Sequence, residues 1–370
     1  MEFRSFYNGK FSIGKLARLR RFCLELTQTR KISVLENWRD KNILFRIDSN
    51  KKIQSWRNDV TEKKADLEII DIKPRGYCKG VVQALHLVKR TREENPEAVI
   101  SILGKIVHNR YITEALNYYK IRTIDVPGLT REELLQYVDQ GILILSAHGT
   151  SSKVVQKAKA KGLTVIDAVC NDVVSTHDII GQALAEDKQI VFIGKNQHPE
   201  TEAILQNFPR THLIIKEADV DKLNLDSTKD ILVTNQTTLS VLEIQNIIRA
   251  LLDRFPHAEV NNEICGATRV RQEAIIKQAD LDALIVVGDP KSNNTAMLAQ
   301  IGLEHGIEHV VRIESLEDLI LDEFKQGWRV GITSGASTPT YLTEMVSNYL
   351  KEVDLANPQI KPEIDLTKIL

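Results

Sequence analysis

From Leu67 onward, short aliphatic and β-branched runs alternate with longer stretches whose apolar positions recur every three or four residues. The runs predict strands at Leu67–Ile72, Ala98–Leu103, Gly141–Ser146, Thr164–Asp167, Gln189–Ile193, Ile231–Thr234, Ala283–Val287 and Arg329–Thr333. The longer stretches predict helices at Val81–Thr91, Asp178–Ala185, Val241–Phe255 and Arg271–Gln278. The alternation of such runs with helical stretches predicts an α/β fold with mostly parallel sheets.

A second rhythm lies over the first. Cys78, Cys170 and Cys265 are 92 and 95 residues apart, and each follows a short run (Glu68–Ile72, Thr164–Ala168, Val260–Ile264) and precedes a helical pattern. This layout predicts an internal repeat with one cysteine per unit on a strand-to-helix loop. The expected domains are 67–163, 164–259 and 260–350, followed by a C-terminal arm at 351–370 that carries Pro358 and Pro362.

The segment 1–66 has a different texture. Between Met1 and Val60 there are 14 Lys or Arg against 6 Asp or Glu. Leu16, Leu19, Phe22 and Leu26 could form one face of a short basic helix beside Arg18, Arg20 and Arg21, with Cys23 outside the cysteine rhythm. The acids Glu25, Glu36, Asp40 and Asp48 count against an organelle transit peptide. A poorly ordered extension is expected, with the cytoplasm as the default location and a plastid-type organelle as the alternative. The whole chain of 370 residues carries a net charge of −1, which argues against a nucleic-acid binder with a strongly basic body. No apolar run approaches the ~20 residues of a membrane span. Four cysteines in this length are no disulfide scaffold and are better read as kept for chemistry.

Open parallel sheets bind ligands at the carboxyl ends of their strands. Six strand ends here lead into polar groups: His108-Asn109, His148-Gly149, His198-Pro199-Glu200, Gln236-Thr237-Thr238, Ser292-Asn293-Asn294 and Gly335-Ala336-Ser337. Imidazoles, hydroxyls and carboxamides, with helix N-terminal amides behind them, suit a phosphorylated anion. Neither a Walker-type Lys motif nor GxGxxG occurs in these loops, so a nucleotide is not inferred. Each group also has a plainer reading. Thr237, Ser292 and Ser337 could be helix caps, and Glu200 after Pro199 could serve the helix first turn. His86 and His177 fall inside helical patterns and read as packing or polar-face residues. Glu200, adjacent to His198, is also a candidate for proton transfer.

Three thiolates drawn from three similar units could converge without any CxxC motif. They would leave one position open on a tetrahedral zinc, or one iron open on a 4Fe–4S cluster. The plainer alternative is three packed cysteines in loops.

Taken together, Gly76-Tyr77-Cys78-Lys79-Gly80-Val81, Val107-His108-Asn109, Ala147-His148-Gly149, Asp167-Ala168-Val169-Cys170, His198-Pro199-Glu200, Gln236-Thr237-Thr238, Ile264-Cys265-Gly266-Ala267-Thr268 with Arg271-Gln272, Ser292-Asn293-Asn294 and Gly335-Ala336-Ser337 closely resemble the 4-hydroxy-3-methylbut-2-enyl diphosphate reductase (LytB) family, in the family's order. The resemblance covers roughly residues 67 to 350. It implies a trefoil of three α/β domains around a central cavity and an oxidoreductase at the last step of the non-mevalonate isoprenoid pathway. Cys78, Cys170 and Cys265 match the ligands of one 4Fe–4S cluster whose remaining iron is open. His108, His148, His198, Thr237, Ser292, Asn294 and Ser337 match residues around the substrate, mostly its diphosphate. Glu200 matches the proton source, and a ferredoxin or flavodoxin is the implied electron donor. Val169 and Asn171 flank Cys170 where the family often has Thr and Pro, and Asn293 stands where some members have Ser.

Overall fold

The computed structural model describes residues 43–47, 53–57 and 66–370. Strands β1 (Ile43–Ile47) and β2 (Ile53–Arg57) form an antiparallel pair within a unit that ends at Lys64. The basic helix expected around Leu16–Leu26, with Cys23, lies outside the described residues. The remaining chain, Ala65–Leu370, is one compact unit.

That unit holds three four-stranded parallel sheets of one topology. The first sheet contains β4 (Ile100–Leu103), β5 (Ile121–Ile124), β6 (Ile142–Leu145) and β7 (Thr164–Asp167), in the order β5-β4-β6-β7. The second contains β8 (Gln189–Ile193), β9 (Thr211–Ile214), β10 (Ile231–Asn235) and β11 (Glu259–Val260), in the order β9-β8-β10-β11. The third contains β12 (Ala283–Val287), β13 (His309–Ile313) and β14 (Arg329–Ser334), and is completed by β3 (Glu68–Asp71) in the order β13-β12-β14-β3.

The central strands ISIL, ILIL, ILVTN and ALIVV are buried throughout, because helices cover both faces. In the first sheet, Ile102 and Ile144 pack into one apolar cluster while Leu103, Leu143 and Leu145 pack into another on the opposite face. Each such side chain contributes about 1.5–3 kcal/mol by leaving water.

The repeat differs from the expected cuts at 67, 164 and 260. The strand leading into each cysteine is hydrogen-bonded to the preceding sheet: β7 pairs with β6, β11 with β10, and β3 with β14. The chain therefore enters each lobe through a cysteine loop, and its first described parallel strand closes the last sheet. The C-terminal arm also joins the core. Ile369 is buried in the first lobe's core, and the Tyr77 hydroxyl donates to its carbonyl at 2.7 Å.

A sheet order in which the chain moves outward from its first strand in both directions leaves a crevice between the two central strands. Here those pairs are β4/β6, β8/β10 and β12/β14. The strands that end at them are followed by His108, His148, His198, Thr237, Ser292 and Ser337.

Candidate active site

One cavity of about 320 Å³ collects all eleven residues singled out in the sequence. Its walls include Cys78, Cys170 and Cys265, the three histidines, Glu200, Thr237, Ser292, Asn294 and Ser337. Asp172, Thr238 and Asn293 line it as well.

The cysteines occupy equivalent places. Each is the N-cap, in extended conformation, of the helix that opens its lobe: Lys79–Glu94, Asn171–Ala185 and Gly266–Ile276. The Cys78 and Cys170 side chains make no cap hydrogen bond, while Cys265 Sγ accepts from Thr268 N at 3.4 Å. All three thiols are free and partly buried. Burial pushes the Cys170 thiol up, and Cys78 and Cys265 push it further, so the three sulfurs share one neighbourhood. Burial likewise raises Cys265, against two hydrogen bonds shared with Thr268. Arg271, itself buried, donates to the carbonyls of Gly76 and Ala267 and places a cation beside Cys78 and Cys265.

Gly80 lies against two of the sulfurs. A β-carbon there would stand 2.6 Å from Cys170 Sγ and 4.0 Å from Cys78 Sγ. Gly80→Ala should therefore displace the Cys170 thiol and lower uptake of any metal the three thiols hold, measured as metal per chain after reconstitution. Gly181→Ala, where the new methyl meets only Phe208 at 3.8 Å, should take up metal like the parent.

At the other part of the cavity, one side-chain nitrogen from each of His108, His148 and His198 lies within 4.8 Å of the other two. The ring centroids are 5.0, 5.7 and 6.3 Å apart. His198 is the N-cap of the Pro199–Asn207 helix, and its Nδ1 accepts from Glu200 N at 3.2 Å. That bond leaves Nε2 as the protonated nitrogen of the neutral ring. Burial pushes His198 down to about 3, His148 well below the usual imidazole range, and His108 in the same direction. Three neutral imidazoles offer N–H donors without charging one another.

Glu200 is 1 % exposed. Its Oε1 accepts from Thr237 N at 2.8 Å, and its Oε2 is 3.0 Å from Thr237 Oγ1. Burial raises its carboxyl to about 7, although both Thr237 hydrogen bonds pull the other way. Thr237 is thus no helix cap, and that role falls to Ser240. Ser292 is both cap and lining, accepting from Thr295 N at 3.4 Å. Ser337 Oγ donates to the His108 carbonyl at 3.1 Å and ties the third lobe to the first. Asn294 is 5 % exposed, and neither its Oδ1 nor its Nδ2 has a partner; His148 Nδ1 is also buried and unpaired. Buried polar groups are rarely left so.

Sequence reasoning missed the groups that hold these side chains. Gln236 Oε1 accepts from Lys195 N and Thr201 Oγ1, and its Nε2 donates to Thr238 Oγ1 at 3.0 Å. Asn293 Nδ2 donates to the Thr238 carbonyl, joining the second and third lobes. Gln236 and Thr238 stood within a quoted motif, but nothing local distinguished a buried connector from a solvated loop residue. His86 is exposed, and His177 packs on Phe208.

Three parallel-sheet α/β lobes thus surround one cavity that gathers three thiols, three imidazoles and a buried carboxyl. A family model described as LytB protein matches residues 69–351, and the chain belongs to that family. Its relatives carry a specific name. A protein from Anoxybacillus flavithermus, 42 % identical over 82 % of this chain and 98 % of its own length, is named 4-hydroxy-3-methylbut-2-enyl diphosphate reductase. A Brevibacillus brevis protein of the same name is 44 % identical over 82 % of this chain and 99 % of its own. The solved E-1-hydroxy-2-methyl-but-2-enyl-4-diphosphate reductase from Plasmodium falciparum superposes with a TM-score of 0.72 at 31 % identity, over 82 % of this chain and 96 % of that one.

Proposed function

We infer that the chain is a 4-hydroxy-3-methylbut-2-enyl diphosphate reductase, that Cys78, Cys170 and Cys265 hold a 4Fe–4S cluster, and that the histidine side of the cavity takes the substrate's diphosphate. The family and its named relatives support the activity. The observation that carries the site is the single cavity shared by three thiols, three neutral imidazoles and a buried carboxyl.

The residues fit an iron–sulfur group. Three soft sulfur donors, two without a competing cap bond, face one cavity, with Gly80 and Arg271 beside them. When bound, such a cluster supplies low-potential electrons and an open iron as Lewis acid.

The reaction breaks the substrate's C–O bond, forms a C–H bond and releases water, consuming two electrons and two protons. The products are isopentenyl and dimethylallyl diphosphate. A ferredoxin or flavodoxin is the electron donor in this reading.

The protein's own share follows from its geometry. His108, His148 and His198, with Ser292, Asn294 and Ser337, bind the diphosphate, and Asn294's two unpaired atoms gain partners. Binding energy at that end orients the reacting hydroxyl toward the thiols. Thr237 Oγ1 donates to Oε2 of the ionised Glu200; on a protonated Glu200 the same contact reverses, the carboxyl gives its proton to Thr237 Oγ1, and the Thr237 hydroxyl passes its own into the cavity. Enclosure by three lobes limits water around the reduced intermediate.

The test is anaerobic purification with assays for iron, acid-labile sulfide and zinc, before and after reconstitution. About four irons with sulfide are expected. Zinc alone would replace this reading with a Lewis-acid site, and neither metal after reconstitution would remove the redox chemistry.

A further inference from the structure

Arg131 opens a single turn of helix, Arg131–Leu134, in which Thr130 and Glu133 form a reciprocal cap. In sequence the stretch Thr130-Arg131-Glu132-Glu133 reads as a solvated helix start. In the fold the arginine is 8 % exposed.

Its guanidinium lies under the two histidine loops of the first lobe. Nη2 donates to Ser146 Oγ at 2.7 Å, two residues before His148. The same group lies flat against Gly104, four residues before His108: a β-carbon there would stand 3.2 Å from Nη2, 3.6 Å from Cζ and 3.7 Å from Nε. The positive charge bears on all three imidazoles and disfavours their protonation.

This cation has no counter-ion among the described residues. The carboxylates that bear on it, Glu202 and Asp125, form no ion pair with it. Glu202 is engaged along its own helix by Gln206 at 3.0 Å, and Asp125 is exposed. Nε is buried without a partner. Lys105, the other cation behind His108, is matched by Asp289 at 4.0 Å. A buried, unpaired guanidinium is costly and persists where something in the functional state offsets it.

We propose that Arg131 is the counter-charge for the diphosphate, a positioning residue that acts from beneath the histidine trio without touching the ligand. This rests on the reading that the trio takes a diphosphate. Neutral imidazoles alone supply donors but no net charge. Arg131 supplies the charge from a place where water does not screen it, and keeps the imidazoles from competing for it. The arrangement binds a multiply charged anion through neutral donors, with the charge set behind them.

The test uses the reconstituted full-length protein and inorganic diphosphate as probe, by calorimetry, together with kcat and KM for the substrate. Arg131→Met should weaken diphosphate binding about tenfold or more and raise KM similarly. Its kcat and its iron content should stay near the parent's. Arg131→Lys, which keeps the charge and a donor for Ser146, should stay within about threefold of the parent. The melting temperature without ligand should not fall in Arg131→Met, and the rise produced by saturating diphosphate should shrink. Should Arg131→Met not fold, Arg131→Gln carries the same comparison while keeping an amide donor. Parent-like diphosphate affinity in the folded, uncharged variant overturns the proposal. So does a lowered melting temperature with an undiminished diphosphate response, because that is a structural role alone. If the parent itself binds no inorganic diphosphate, the reading of the trio fails and the proposal falls with it.

Discussion

Glu200→Gln should lower turnover by about 10²–10⁴-fold while leaving iron content and substrate affinity near the parent's. The prediction follows from how tightly the carboxyl is held. Thr237 N donates to Oε1 at 2.8 Å, and Thr237 Oγ1 lies 3.0 Å from Oε2. Glutamine can accept the first bond through its oxygen and donate the second through its amide. The pocket therefore keeps its shape, but the amide has no proton to transfer. The parent's kcat should fall as pH rises through about 7, because the acid form is depleted there, and the variant's residual rate should lack that inflection. Stability supplies an independent sign. The folded carboxyl's pKa is raised above its ordinary value of 4.5, so the native state holds the proton that the unfolded state has already lost. Parent stability should then decline as pH rises from about 4.5 to 7, by about 3 kcal/mol at most, and Glu200→Gln should remove that slope. Near-parental turnover in a variant with full iron would end the proton-donor role.

Cys170→Ser should abolish stable cluster assembly and with it the activity. Serine is nearly isosteric, but its neutral hydroxyl is a poor ligand for iron, which thiolates hold. The backbone gives no reason for the fold to fail. Cys170 N donates to the Ala147 carbonyl at 3.0 Å, and the Cys170 carbonyl accepts from Val174 N at 3.1 Å, whichever side chain is present. Serine is also the better N-cap for the Asn171–Ala185 helix, so the melting temperature of the metal-free protein should hold or rise slightly. Inorganic diphosphate should still bind, because His108, His148, His198 and Asn294 do not depend on the sulfur. Iron and sulfide analysis with calorimetry separates these outcomes. A variant with its cluster and turnover intact would show that another group serves as ligand.

These two residues also show how far a linear reading reaches. Glu200 stood out because it follows His198-Pro199 after a buried strand, and the three cysteines because each repeats one local setting. The eight strands read from apolar runs are all present. Those missed in the three parallel sheets, β5, β9, β11 and β13, are sheet edges with mixed sequences such as Ile121-Arg122-Thr123-Ile124 and partly exposed side chains, and the antiparallel pair β1 and β2 was missed as well. An edge strand with one covered face needs too few apolar residues to announce itself. The lobe boundaries were displaced for a related reason. Sheet membership is decided by hydrogen bonds across the sheet, and nothing in the run Glu68–Ile72 says that its neighbour is Arg329–Ser334 at the far end of the chain.

The chain's own order of residues determined the parallel α/β class, the threefold recurrence, and which side chains stand at strand ends, because apolar periodicity and the polar residues that follow it are local properties. Only the tertiary structure decided that β3 closes the last sheet, that Glu200 is wrapped by Thr237 from the neighbouring loop, and that Arg131 lies buried beneath two histidines instead of in solvent. Burial, hydrogen-bond satisfaction and charge balance depend on what other segments bring to the same point, and those properties come into existence only when the segments meet.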